Sequence, residues 1–96
     1  MALKITNTVQ TDKGSTNELY IMVNEIYVTK ALTSQIAVKT FKTQAEREAD
    51  INDTCKTFVI KDVYKPTFET IDIGIADVYA AVKLLLEADG FTVENV

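Results

Sequence analysis

Proton transfer at neutral pH is easiest for a group that titrates near neutrality, and this sequence has no histidine to supply one. Acid–base work would fall to carboxylates, lysine or tyrosine, and nucleophilic attack to serine or threonine without an imidazole beside it. Cys55 is the single cysteine, so the chain forms no internal disulfide and no cysteine-based metal cage. Its neighbours Asp53, Thr54 and Lys56 read as the start of a strand, and a buried structural thiol is expected. Asp50, Asn52 and Asp53 come nearest to a cation loop. Counted from Asp50, however, the sixth position is Cys55 where a calcium loop needs glycine, and the twelfth is Lys61 where it needs glutamate. A turn rich in Asp and Asn accounts for them. Gly14-Ser15-Thr16 lacks the Gly-x-x-x-x-Gly-Lys-Ser/Thr spacing of a phosphate cradle. Glu69, Asp72 and Asp77 gather at the start of a predicted helix, where carboxylates cap and complement the dipole. No catalytic, cofactor-binding or metal-ligating residue is assigned, and an enzyme is not expected.

The elements that would position these groups are dominated by one stretch. Leu19 to Val28 reads Leu-Tyr-Ile-Met-Val-Asn-Glu-Ile-Tyr-Val, rich in the residue types that suit a pleated surface. Leu19, Ile21 and Val23 share one face, Ile26 and Val28 the other, and the phase changes at Asn24-Glu25. That change marks a bulge or a strand that swaps the face it buries. Before it, Leu3, Ile5 and Val9 predict a strand over about 3–10, with Asn7 as its weak point, and residues 11–17 predict a turn. A hairpin of these two strands is expected. After Ala31-Leu32-Thr33 a third strand spans Ser34 to Lys42, with Ile36, Val38 and Thr40 on one face and Ala37, Lys39 and Phe41 on the other.

Thr43-Gln44-Ala45-Glu46 is a capping box and announces a short helix over about Gln44 to Ala49. A fourth strand is predicted from Thr54 to Tyr64, with Cys55, Thr57, Val59 and Val63 on one face and Phe58, Ile60 and Tyr64 on the other. Pro66 ends it. The strongest helix runs from about Ile73 to Ala88. Asp72 is its predicted cap, and Ile75, Val78, Tyr79, Val82, Leu85 and Leu86 form an apolar stripe at three- and four-residue spacing. Gly90 ends it, and Phe91 and Val93 fold back on the last turn. The sum is one α+β domain over residues 1–96. It has an antiparallel sheet of four to five strands, a C-terminal helix on one face and a short helix between the third and fourth strands.

Composition excludes several classes. An apolar fraction of 47% with 25% charged residues describes a folded chain and not a disordered one. The net charge of −4 is uneven: residues 1–48 carry +1 and residues 49–96 carry −5. An acidic second half repels phosphate, so direct nucleic-acid binding is not expected. The aromatics are scattered without interleaved bases and suit packing and interfaces more than base stacking. No stretch has signal-peptide or membrane-spanning character, so synthesis in a cytoplasm and no membrane contact are expected.

The order of segments resembles small virion structural proteins of tailed bacteriophages. The features that carry it are the polar N-terminal hairpin, strands 19–29 and 34–42, and Thr43-Gln44-Ala45-Glu46-Arg47-Glu48-Ala49. The closing Val78-Tyr79-Ala80-Ala81-Val82-Lys83-Leu84-Leu85 with Gly90-Phe91 completes the pattern. The resemblance implies a non-enzymatic subunit present in many copies, as a capsid decoration, head–tail or tail component localised in the virion. Its partners would be itself and other virion proteins, with no cofactor and no small-molecule substrate. Tyr20, Met22, Tyr27 and Phe41 are the expected interface residues, because a long two-faced strand leaves apolar area for a partner and aromatics anchor interfaces. The alternative is a small acidic inhibitor that binds a host factor or mimics nucleic acid.

Overall fold

A computed structural model describes residues 2–49, 54–70 and 72–96. In chain order these form β1 (Leu3–Ile5), β2 (Val9–Thr11), β3 (Gly14–Thr16), β4 (Leu19–Val28), β5 (Ser34–Phe41), α1 (Gln44–Ala49), β6 (Val63–Tyr64), α2 (Ile75–Ala88) and β7 (Val93–Asn95). Among the described residues the main sheet has the order β6-β5-β4-β1-β7, antiparallel throughout, and β2 pairs with β3 in a separate two-stranded sheet. The fold is α+β.

The phase change in β4 is a bulge. Val23 pairs with Val38, and the next pair is Glu25 with Ala37, so Asn24 is the extra residue. The insertion returns Ile26 to the face of its partner Ile36, which lies on the same side as Val38. The two apolar sets of β4 therefore share one face of the sheet. On that face Leu3, Ile5, Leu19, Ile21, Ile36, Val38, Tyr64 and Val93 pack with Val78, Tyr79, Val82 and Leu86 of α2 into one core. The core-facing stripe of α2 is the predicted one, except that Ile75 stays exposed.

The ends of α2 show why it starts and stops where it does. Its N-cap is Gly74 and not Asp72. Asp77, one turn in, accepts the Gly74 N–H at 2.9 Å, which is the half of a capping box that a glycine permits. At the far end Phe91 N–H donates to Leu86 and Gly90 N–H to Glu87, with Gly90 at φ +95°. That pattern is a Schellman motif, and a Cβ on Gly90 would meet nothing within 4 Å. The glycine is there for its backbone, not for space.

Two predicted strands come out differently. The stretch 3–10 splits into β1 and β2, because Asn7 leaves the ladder and its side-chain oxygen takes the Thr92 N–H at 2.6 Å. The predicted hairpin survives as β1 paired with β4, with β2–β3 as an ear between them. The stretch 54–64 contributes only Val63–Tyr64 to the sheet and a single bridge from Thr57 to Thr11. Between them the Thr57 hydroxyl accepts the Ile60 N–H and bends the chain. The bend puts Phe58 and Val59 outside while Cys55, Ile60 and Tyr64 are buried, so the predicted alternation fails there. The closing segment also differs: Val93 pairs with Ile5 as part of β7 and does not simply fold onto α2.

Candidate interaction surface

The long strand β4 has two environments along its length. Its first part is central, flanked by β1 at Leu19–Ile21 and by β5. From Val23 onward, no described strand lies on the β1 side. A ten-residue strand spans about 33 Å, close to the molecule's longest dimension of 40 Å. The distal half of β4 and its partner in β5 thus form an arm with one edge uncovered among the described residues. The other edge of the arm is occupied. Val38 N–H donates to the Asp62 carbonyl, Ile36 pairs with Tyr64, the Ser34 hydroxyl donates to the Pro66 carbonyl, and Phe68 N–H donates to Leu32.

The root of the open edge is closed from α2. Val23 N–H, which faces the side where β1 has ended, donates to the Tyr79 hydroxyl at 3.0 Å. A buried tyrosine needs a partner for its hydroxyl, and the bulge supplies a backbone group that needs one too. At the tip, Thr29 N–H donates to the Thr33 carbonyl and Leu32 N–H to the Thr29 carbonyl, closing a three-residue loop with Leu32 at φ +64°. The Thr29 and Thr33 hydroxyls meet at 2.7 Å. Between root and tip, Ile26 is 40%, Tyr27 63% and Val28 36% exposed.

Of the four residues expected at an interface, Tyr27 alone is exposed. Tyr20 and Phe41 pair across β4 and β5 on the face away from the core and are buried within the chain, and Met22 is half-buried. Tyr20 is covered locally: the Arg47 guanidinium lies 5.6 Å and the Lys4 ammonium 6.0 Å from its ring centre, and its hydroxyl donates to Gln44 Oε1 at 3.3 Å. The helix α1 thus contributes cover to the second face near the root of the arm. Its Thr43 hydroxyl accepts the Glu46 N–H at 3.1 Å. Further exposed apolar side chains fall outside the expected set, among them Phe58, 86% exposed, with Val59 at the bend, Leu84 on the outer side of α2, and Ile75 at its N-terminal end in line with the core stripe. The alternating pattern over 54–64 concealed the first of these.

The groups available for chemistry are dispersed. Cys55 is buried, its N–H donates to the Thr40 carbonyl at 2.9 Å, and the Thr40 hydroxyl donates to its carbonyl. Burial pushes its thiol above the ordinary value, the opposite of what a nucleophile needs. Asp50, Asn52 and Asp53 lie outside the described residues. Among the described residues no group of three acidic or cysteine side chains is placed to hold a metal ion. Beside Tyr27 a depression of about 510 Å³ is lined by Thr29, Thr33, Gln35 and Lys65, a set of hydroxyl, amide and ammonium groups without a carboxylate. No described helix is long and apolar enough to cross a membrane. Comparisons with protein-family models, with characterised proteins and with solved structures return no match.

Proposed function

We propose that this chain is a non-enzymatic structural subunit that enters an assembly through the arm formed by β4 and β5. The observation that carries the proposal is the open edge of β4 with Ile26, Tyr27 and Val28 exposed along it. A strand edge with apolar side chains and no covering element is a template for another chain, and natural proteins blunt such edges when they must remain alone. This edge carries one charged residue, Glu25, and no proline. The resemblance in segment order to small tailed-phage virion proteins makes a capsid-decoration, head–tail or tail component the particular assembly. The chain would then meet copies of itself and other virion proteins.

Light scattering of the full chain over a range of concentrations tests the reading. The native chain is expected to self-associate as its concentration rises, and Tyr27→Glu to remain monomeric with an unchanged melting curve, since Tyr27 is outside the core. A second arm is the protein composition of the purified parent particle, in which the chain should be present. A chain that stays monomeric, is absent from particles and competes with DNA for a basic protein would overturn the reading in favour of an acidic inhibitor.

A further inference from the structure

We propose that two copies of this chain join by pairing the open edge of β4 with itself, antiparallel, in a single register centred on Tyr27. The proposal rests on the assembly reading above and adds the partner, a second copy, and the geometry.

Backbone alternation fixes which groups are on offer. Thr29 N–H bonds to Thr33, and hydrogen-bonded and non-hydrogen-bonded pairs alternate along an antiparallel ladder. Tyr27 and Gln35 are therefore a hydrogen-bonded pair, and Val28–Ser34 and Ile26–Ile36 are not. The far side of β5 agrees, because Val38, two residues from Ile36, turns its N–H to Asp62. The N–H and C=O of Ile26 and of Val28 consequently point away from β5, toward the side that β1 leaves open after Ile21.

A strand pairs antiparallel with its own copy only about a two-fold axis perpendicular to the sheet. That operation keeps each side chain on its own face. Opposite residues must then differ by an even number, which leaves three registers near the middle of the edge. Placing Ile26 opposite the partner's Ile26 sets Val28 against the Asn24 bulge. Placing Val28 opposite the partner's Val28 sets Ile26 against Lys30, beyond the end of the strand. With Tyr27 on the axis, Ile26 meets the partner's Val28 twice, and each pair exchanges two backbone hydrogen bonds. Every outward group from Ile26 to Val28 is used.

Side chains and charges suit the same register. Ile26 and Val28 become cross-strand apolar pairs on the core side, where each is now partly bare. The two Tyr27 rings meet across the axis on the other face as a close, non-hydrogen-bonded pair, an arrangement aromatic side chains favour. The arm from Asn24 to Thr33 carries one acid, Glu25, and one base, Lys30. Antiparallel pairing sets Glu25 of each copy near the partner's Lys30 and keeps like charges apart, whereas parallel pairing would stack Lys30 on Lys30. The edge alone offers less than the ~800 Å² per partner of a standard interface, so association is concentration-dependent.

Three variants of the full chain test the pairing. Val28→Pro deletes one outward N–H that β5 does not use, a position a strand tolerates at an edge. Tyr27→Cys places two thiols at a Cα separation of about 4.5 Å, inside the disulfide range, while Ile26→Cys leaves them on a diagonal about 7 Å apart. Val28→Pro is expected to shift the association midpoint at least tenfold in concentration with the circular dichroism spectrum retained. Tyr27→Cys should cross-link into dimers under mild oxidation, and Ile26→Cys should not. Buried Cys55 should leave the native chain uncross-linked. Ile26→Cys cross-linking in place of Tyr27→Cys would overturn the register. If Tyr27→Glu dissociates the assembly while Val28→Pro assembles as the native chain does, edge pairing is wrong and the broader arm reading stands. A native chain that is monomeric at every concentration overturns self-pairing, and its presence in particles then decides the broader reading.

Discussion

Tyr79 ties helix to sheet through one atom. Its hydroxyl receives the Val23 N–H where β1 has ended and β4 is about to bulge, so the ring packs in the core while its polar end closes a strand edge. Tyr79→Phe keeps the ring and removes the acceptor, and about 1 kcal/mol of stability should go with it. Urea denaturation checks the loss, and faster exchange of the Val23 amide locates it. Cys55 and Tyr64 make stability depend on pH on the alkaline side. Burial is the main cause raising both, and the Asp89 and Asp62 carboxylates add to it for Tyr64. The folded chain therefore holds protons that the unfolded chain releases, at ordinary values of 9.0 for the thiol and 10.0 for the phenol. The stability these groups support is complete below about pH 9 and is lost as pH rises through the raised folded values. Denaturation midpoints at pH 7 and 10.5 should differ more for the native chain than for a Cys55→Ala, Tyr64→Phe variant. An equal drop in both would exclude these two groups as the cause.

At the scale of elements, α2 is the clasp that makes the sheet a domain. Val82 is fully buried at the centre of its stripe, so Val82→Asp should cost more than about 3 kcal/mol by placing an unpaired charge there. A cooperative melt lost or lowered by tens of degrees is the expected result, and an unchanged melt would mean that the stripe faces outward. The stripe was readable from Val78, Val82 and Leu86 because a three-to-four spacing belongs to one face of a helix and to nothing else in the chain. The bulge in β4 was equally readable as a change of phase at Asn24-Glu25, although the sequence left open whether the strand swaps faces. The stretch 54–64 alternates just as well and is mostly not a strand. Its fate turns on the Thr57 hydroxyl taking the Ile60 N–H, a local bond that competes with the ladder and leaves no periodic trace. Tyr20 and Phe41 were visible as aromatics, but their burial depends on the cover given to the second face, including Arg47 of α1, which no pattern along β4 records. Tyr27, on the same strand and the same face after the bulge, lies beyond that cover.

For the whole molecule, the decisive feature is that the sheet is longer on one side than on the other. β1 is three residues and β4 ten, so the strand outruns its neighbour and carries a bare edge past the end of β1. The opposite side of the arm is not bare, because the chain from Asp62 to Phe68 bonds along β5 as far as the turn. The arm closes one edge with the chain's own backbone and, among the described residues, leaves the other open. Residue-resolved hydrogen exchange at low and high protein concentration tests this most directly. The Tyr27 amide, bonded to Gln35, should be protected at both concentrations. The Ile26 and Val28 amides should exchange as exposed groups in dilute solution and gain at least tenfold protection as the chain associates. Exchange at Ile26 and Val28 that does not change while the chain assembles would contradict the account.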